Sequence, residues 1–99
     1  MIFEEQIYTL HPGKLPEYMN CYGTEGRAIQ EEILGKMIGY YYTDFGPQNQ
    51  VIHFWGYQSY KDRDERRDCL DASEAWKNFQ PKILPLILRQ ENKTLICAT

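Results

Sequence analysis

The stretch Asn49-Gln50-Val51-Ile52-His53-Phe54-Trp55-Gly56-Tyr57 constrains the fold of this chain more than any other. Side chains alternate across a strand, so Val51, His53, Trp55 and Tyr57 share one face and Ile52 and Phe54 the other. Directly after it, Ser59 with Asp62 three residues on has the form of a capping box. A charged helix is therefore expected over Asp62 to Leu70. Ile52 and Phe54 suit packing beneath helices, which would turn His53 and Trp55 to an open sheet face.

The flanking segments supply the rest of such a sheet. Residues 2–10 alternate as a strand, with Ile2, Glu4, Gln6, Tyr8 and Leu10 on one face. Pro12-Gly13 ends it. Leu15, Met19, Tyr22, Gly26, Ile29 and Ile33 then recur at spacings of four, three, four, three and four, one helical stripe. Gly23 and Gly26 weaken that helix by about 1 kcal/mol each relative to alanine, so a break is expected there. Gly39 to Phe45, with three consecutive tyrosines, favours a second strand. The Gly46-Pro47 turn joins it to the Asn49–Tyr57 strand as an antiparallel hairpin. Ser73 restarts a helix carrying Trp76, Phe79 and Ile83, Pro81 and Pro85 interrupt it, and Ile87 to Ala98 reads as the last strand.

The order is β-α-β-β-α-β. It predicts an α+β fold: a ferredoxin-like sandwich, with a four-stranded antiparallel sheet and both helices on one face. Residues 1–99 are expected to form one domain. An open face carrying tyrosine, tryptophan and histidine is poorly suited to water. Two such sheets, set face to face, would enclose a cavity as a homodimer.

Composition narrows the function. The net charge is −3 without a basic stripe, which disfavours nucleic acid. No apolar run approaches a membrane span, and no secretory leader pattern opens the chain, so a cytoplasmic protein is expected. Cys21, Cys69 and Cys97 are few and far apart, with neither a disulfide framework nor zinc-ligand spacing. Nucleotide-loop, nucleophile-elbow and zincin motifs are missing. No metal or cofactor is expected.

The candidates for chemistry lie on the expected cavity face. His53 could act as an acid or base near neutral pH, or simply bond a neighbouring tyrosine or carboxylate. Glu4, or Asp44 at the end of the second strand, would become a base if desolvated, or an ion-pair partner. Tyr42, His53 and Trp55 would line a ligand site. Arg63, at the mouth of the His53 strand, could reach an anionic ligand or a carboxylate on that face. The remaining Asp62–Asp68 charges read as a solvated helix face.

The chain resembles the NIPSNAP family over most of its length. The resemblance rests on Gly39-Tyr40-Tyr41-Tyr42-Thr43-Asp44-Phe45-Gly46, on the N-x-V-x-H-x-W-x-Y pattern of Asn49–Tyr57, on Asp62-Arg63 with Arg66-Arg67, and on Trp76. The first strand departs from the family pattern: Gln6 stands where arginine is usual and Glu5 where leucine is. The resemblance implies a dimeric α/β barrel of ferredoxin-like protomers, and no settled enzymatic activity. Three functions follow as expectations. The first is a homodimer whose barrel cavity binds a small molecule. The others are a cofactor-independent monooxygenase- or isomerase-like enzyme, and a structural or protein-interaction module.

Overall fold

Alternating burial organises the computed structural model, which describes all 99 residues. Strand β1, Ile2–Leu10, buries Ile2, Glu4, Gln6, Tyr8 and Leu10 and leaves the intervening side chains half-buried. It is a central strand, antiparallel to β3 (Gln50–Tyr57) on one side and to β4 (Ile87–Leu95) on the other. The short β2 (Gly39–Tyr42) pairs with β3, giving the antiparallel order β2-β3-β1-β4. This is the expected α+β fold with a four-stranded antiparallel sheet.

The hairpin is shorter than its tyrosine-rich sequence suggests. Its last ladder pair is Tyr42 with Val51, and Thr43 N–H then donates to the Gln50 carbonyl. Asp44 and Phe45 lie beyond that closing bond, exposed in the loop.

The first helical segment does not break at its glycines. Helix α1 (Leu15–Cys21) runs through one π-helical stretch, Tyr22–Gly26, into α2 (Arg27–Leu34). A π turn takes in an extra residue without ending the helix, and such turns recur at functional sites. Gly26 is required for a packing reason: a Cβ there would stand 2.6 Å from Phe79 Cζ and 2.8 Å from Tyr22 Cδ1. Gly35, at φ 95°, then ends α2 in a conformation that a side chain would strain.

Helix α3, Tyr60–Ala72, starts as its cap predicts: the Ser59 hydroxyl accepts from Asp62 N–H at 3.1 Å. The reciprocal bond is displaced by one residue, since Asp62 accepts from Gln58 N–H at 2.9 Å. Ser73 likewise caps α4 (Glu74–Phe79), its hydroxyl accepting from Trp76 N–H. Pro81 and Pro85 sit in two single 3-10 turns that lead into β4. No helix is long and apolar enough to cross a membrane.

One expectation is overturned. The sheet face under the helices is the one carrying Glu4, Gln6, Tyr8, Val51, His53, Trp55 and Tyr57, all buried. It packs against Tyr18, Tyr22, Leu34, Leu70, Trp76, Phe79 and Ile83 from the helical layer. Ile52 and Phe54 are half-buried on the other, open face with Phe3 and Ile7; Tyr41 and Leu95, cross-strand partners of Ile52 and Phe3, join them. The physical reason is hydrogen bonding. The helices bring Arg63 to Glu4 and Tyr18 to His53, which offsets part of the cost of burying them, whereas Ile52 and Phe54 need no hydrogen-bond partners on the open face. The three cysteines are free, and Cys69 and Cys97 are exposed rather than part of the apolar interior.

Candidate functional site

His53 sits mid-strand in β3, directly opposite Gln6 of β1 and Tyr40 of β2, and is almost completely buried. Tyrosine rings surround it. The centroids of Tyr22, Tyr8 and Tyr40 lie 4.7, 5.1 and 5.2 Å from that of the imidazole, and Tyr18 stacks on Tyr22 at 5.5 Å. The chain builds this cage from both layers. Alternation turns Tyr8 and Tyr40 inward from the strands, while α1 and the π stretch bring Tyr18 and Tyr22 down from the helices.

The bonding inside the cage is specific. The Tyr18 hydroxyl is 3.1 Å from His53 Nε2. Tyr22 donates to Gln30 Oε1, and Tyr40 hydroxyl contacts Met19 Sδ at 3.2 Å. Gln6 Oε1 accepts from Tyr8 hydroxyl at 3.2 Å and from Trp55 Nε1–H at 3.3 Å. An indole nitrogen only donates, so this contact fixes which end of the Gln6 amide is oxygen.

Desolvation sets the protonation states. Burial, then the nearby Arg67 and Arg27 cations, push the His53 pKa down to about 3. Burial pushes the Tyr8 phenol up to about 12, and those of Tyr18 and Tyr22 higher still. At neutral pH the cage therefore holds a neutral imidazole among neutral phenols.

A cavity of about 100 Å³ lies beside this cluster, between sheet and helices. Tyr8, Tyr18, Tyr22 and His53 form its inner wall, and Arg67, Leu70 and Trp76 part of the helical side. Three buried polar atoms in this region have no protein partner: His53 Nδ1, Arg67 Nη1 and Gln6 Nε2. Buried polar atoms are nearly always bonded, so three together mark the place as unusual.

The candidate carboxylates have other duties. Glu4 is fully buried and accepts twice from Arg63, at 2.6 Å from Nη2 and 3.0 Å from Nε. Arg63 thus reaches a carboxylate on the sheet, one of the two roles open to it. Asp44 is exposed in the hairpin loop. Of Tyr42, His53, Trp55 and Arg63, only His53 lines the cavity. Trp55 is buried beside it and orients Gln6, while Tyr42 is exposed on the edge strand.

Arg67, expected on a solvated helix face, instead lines the cavity. A signal for it exists: Arg63, Arg67 and Leu70, at spacings of four and three, share one side of α3. Tyr18 was equally hidden, because it lies beside the Leu15–Met19–Tyr22 stripe.

Residues 3–99 match the family model of NIPSNAP. A NipSnap homologue of Dictyostelium discoideum is 32% identical over 95 residues, which cover 96% of this chain and 42% of that protein. The chain thus spans less than half the length of the curated relatives it matches. Among solved structures, an Agrobacterium tumefaciens protein superposes with a TM-score of 0.97 at 40% identity, covering 99% of this chain and 94% of that one. A putative antibiotic biosynthesis monooxygenase from Nitrosomonas europaea shares the fold, with a TM-score of 0.73 at 8% identity and full coverage of both chains.

Proposed function

This chain belongs to the NIPSNAP family, and on that footing we propose that it is a small-molecule-binding protein whose site lies inside each protomer, between sheet and helices. The observation that carries this reading is the pairing of a cavity of about 100 Å³ with unpartnered polar atoms on its lining residues His53 and Arg67. An apolar and aromatic concavity with a few convergent polar groups is the usual form of a ligand site. The site replaces the expected one between two facing sheets, because the histidine face is covered by the protomer's own helices.

The binding reading is favoured over a catalytic one. Glu4 is ion-paired and Asp44 is exposed. His53, held down to about 3, is a weak base in the ligand-free protein. The likeness to a monooxygenase is one of fold, and fold does not carry chemistry.

The same proposal includes a homodimer formed through the open sheet face. Phe3, Ile7, Ile52 and Phe54 are half-buried there, while Tyr41 and Leu95 are exposed. Burying a patch of this kind against a second copy removes it from water. Light scattering at micromolar concentration is the test, and a monomer would contradict this part.

For the site, NMR spectra recorded against a small-fragment library are expected to show ligands that shift the resonances of His53, Tyr18 and Leu70 together. A library that moves none of them would sink the binding reading.

A further inference from the structure

Two of the three unpartnered atoms beside the cage can only donate, and the third, His53 Nδ1, donates in one of its two neutral tautomers. Arg67 Nη1 can only donate. Gln6 Nε2 can only donate, since the Trp55 indole has fixed the amide orientation. His53 Nδ1 becomes a donor when the Tyr18 hydroxyl donates to Nε2, because a neutral imidazole carries its one proton on the other nitrogen. No carboxylate of the chain answers them. None of its ion pairs includes Arg67. Glu4 is taken by Arg63, and Asp71, one turn beyond Arg67, is exposed at the rim. The cavity lining thus combines the half-buried Arg67 cation and the buried His53 ring with neutral phenols and apolar walls, and Asp71 stands at its rim.

From this we infer that the cavity takes a small organic carboxylate with an apolar body. The carboxylate end would sit on Arg67 and the His53 Nδ1–H, and the body against Tyr18, Tyr22, Leu70 and Trp76. The inference rests on the binding role proposed above and names its ligand class. A guanidinium matches a carboxylate in shape and charge, and such bonds are about twice as strong as neutral ones. The cavity offers about 100 Å³ to water-sized groups, several times the roughly 10–15 Å³ needed for a single water, so it has room for more than one solvent molecule. Aromatic walls suit a flat body by offset or edge contacts.

The test uses the whole chain with benzoate and its neutral near-isostere benzamide. Binding is read by calorimetry and by the ¹⁵N resonances of the His53 ring. Benzoate is expected to bind, to shift the Nδ1 signal of a protonated nitrogen, and to bind better than benzamide. Arg67→Met is expected to weaken benzoate binding about ten- to hundredfold, the range for a hydrogen bond to a charged group, with benzamide unaffected. Equal binding of the two probes, or an unprotonated Nδ1 that benzoate leaves unmoved, overturns the carboxylate assignment and leaves the pocket reading standing. If neither probe moves His53 or Tyr18, the assignment fails, and the fragment library then decides the pocket reading separately. Should Arg67→Met not fold, the comparison of benzoate with benzamide on the wild-type ring signals decides alone.

Discussion

Acidification tests the neutral cage directly. Histidine in an unfolded chain titrates near 6.5, and in the fold burial, then Arg67 and Arg27, hold His53 down to about 3. Between these values the unfolded chain takes up a proton that the folded chain refuses. Stability from this residue is therefore complete above about pH 6.5 and falls as the pH drops towards 3. From pH 7 to pH 5 the difference in proton uptake amounts to about 2 kcal/mol, since each pH unit below the unfolded pKa costs about 1.4 kcal/mol. In a domain of this size that lowers the melting temperature by roughly 8–16 °C. Asp62, lowered first by its bond from the Gln58 backbone and then by Arg66, loses its contribution only below its unfolded value of 3.8. The assay is urea unfolding at pH 7, 6 and 5, followed by tryptophan fluorescence, for the wild type and His53→Gln. His11 is present in both, so the difference in slope isolates His53. The variant is expected to lose most of the dependence, whatever its stability at pH 7. Equal slopes would refute the argument, as would a His53 ring signal that titrates near 6 in the folded protein.

Three further outcomes follow from packing and charge. Arg63→Met strands the fully buried Glu4 and is expected to cost about 3 kcal/mol, more than Glu4→Gln, which leaves an arginine that is 26% exposed and still beside Asp64; chemical denaturation showing the reverse order would refute the pairing. Gly26→Ala drives a methyl group into the Phe79 and Tyr22 rings and is expected to cost about 1–3 kcal/mol, read as a lower urea midpoint, whereas Gly23→Ala, where a Cβ meets nothing within 4 Å, is expected to be neutral or stabilising. Phe54→Asp, on the open sheet face, is expected to convert the proposed dimer to a monomer in light scattering without disturbing benzoate binding. A dimer that persists would place the interface elsewhere.

The parts of the fold that depend on neighbours in sequence were legible there. Period-two burial in β1 and β3, the caps at Ser59 and Ser73, and the Leu15-to-Ile33 stripe all reflect short-range geometry. The hairpin end at Tyr42 was not, because it depends on where Thr43 meets Gln50 across the ladder. The continuous π turn was not either. Two glycines weaken a helix locally, and only the Phe79 ring, more than fifty residues on, shows why a residue without a side chain is needed. His53 was identifiable as a candidate from its strand, but Arg67 was not, since charged residues one turn apart on a helix look alike until a sheet covers one side.

The choice of which sheet face to bury reveals more about function than the pattern that distinguishes the faces. Burying Ile52 and Phe54 would have needed no hydrogen bonds. The fold instead buries Glu4, Gln6 and His53, and it answers most of their polar atoms: Arg63 for Glu4, Trp55 and Tyr8 for Gln6, Tyr18 for His53. A polar interior arranged only for stability would be bonded throughout, because each unmet group costs about 1–3 kcal/mol. Here the unmet groups are not scattered. His53 and Arg67 line one cavity, Gln6 lies directly across the ladder from His53, and one of the three carries a positive charge. Local departures from the rules of burial that gather at one place are characteristic of functional sites. That concentration of unmet groups, rather than the histidine alone, is the physical reason to look for an acceptor that the chain itself does not supply.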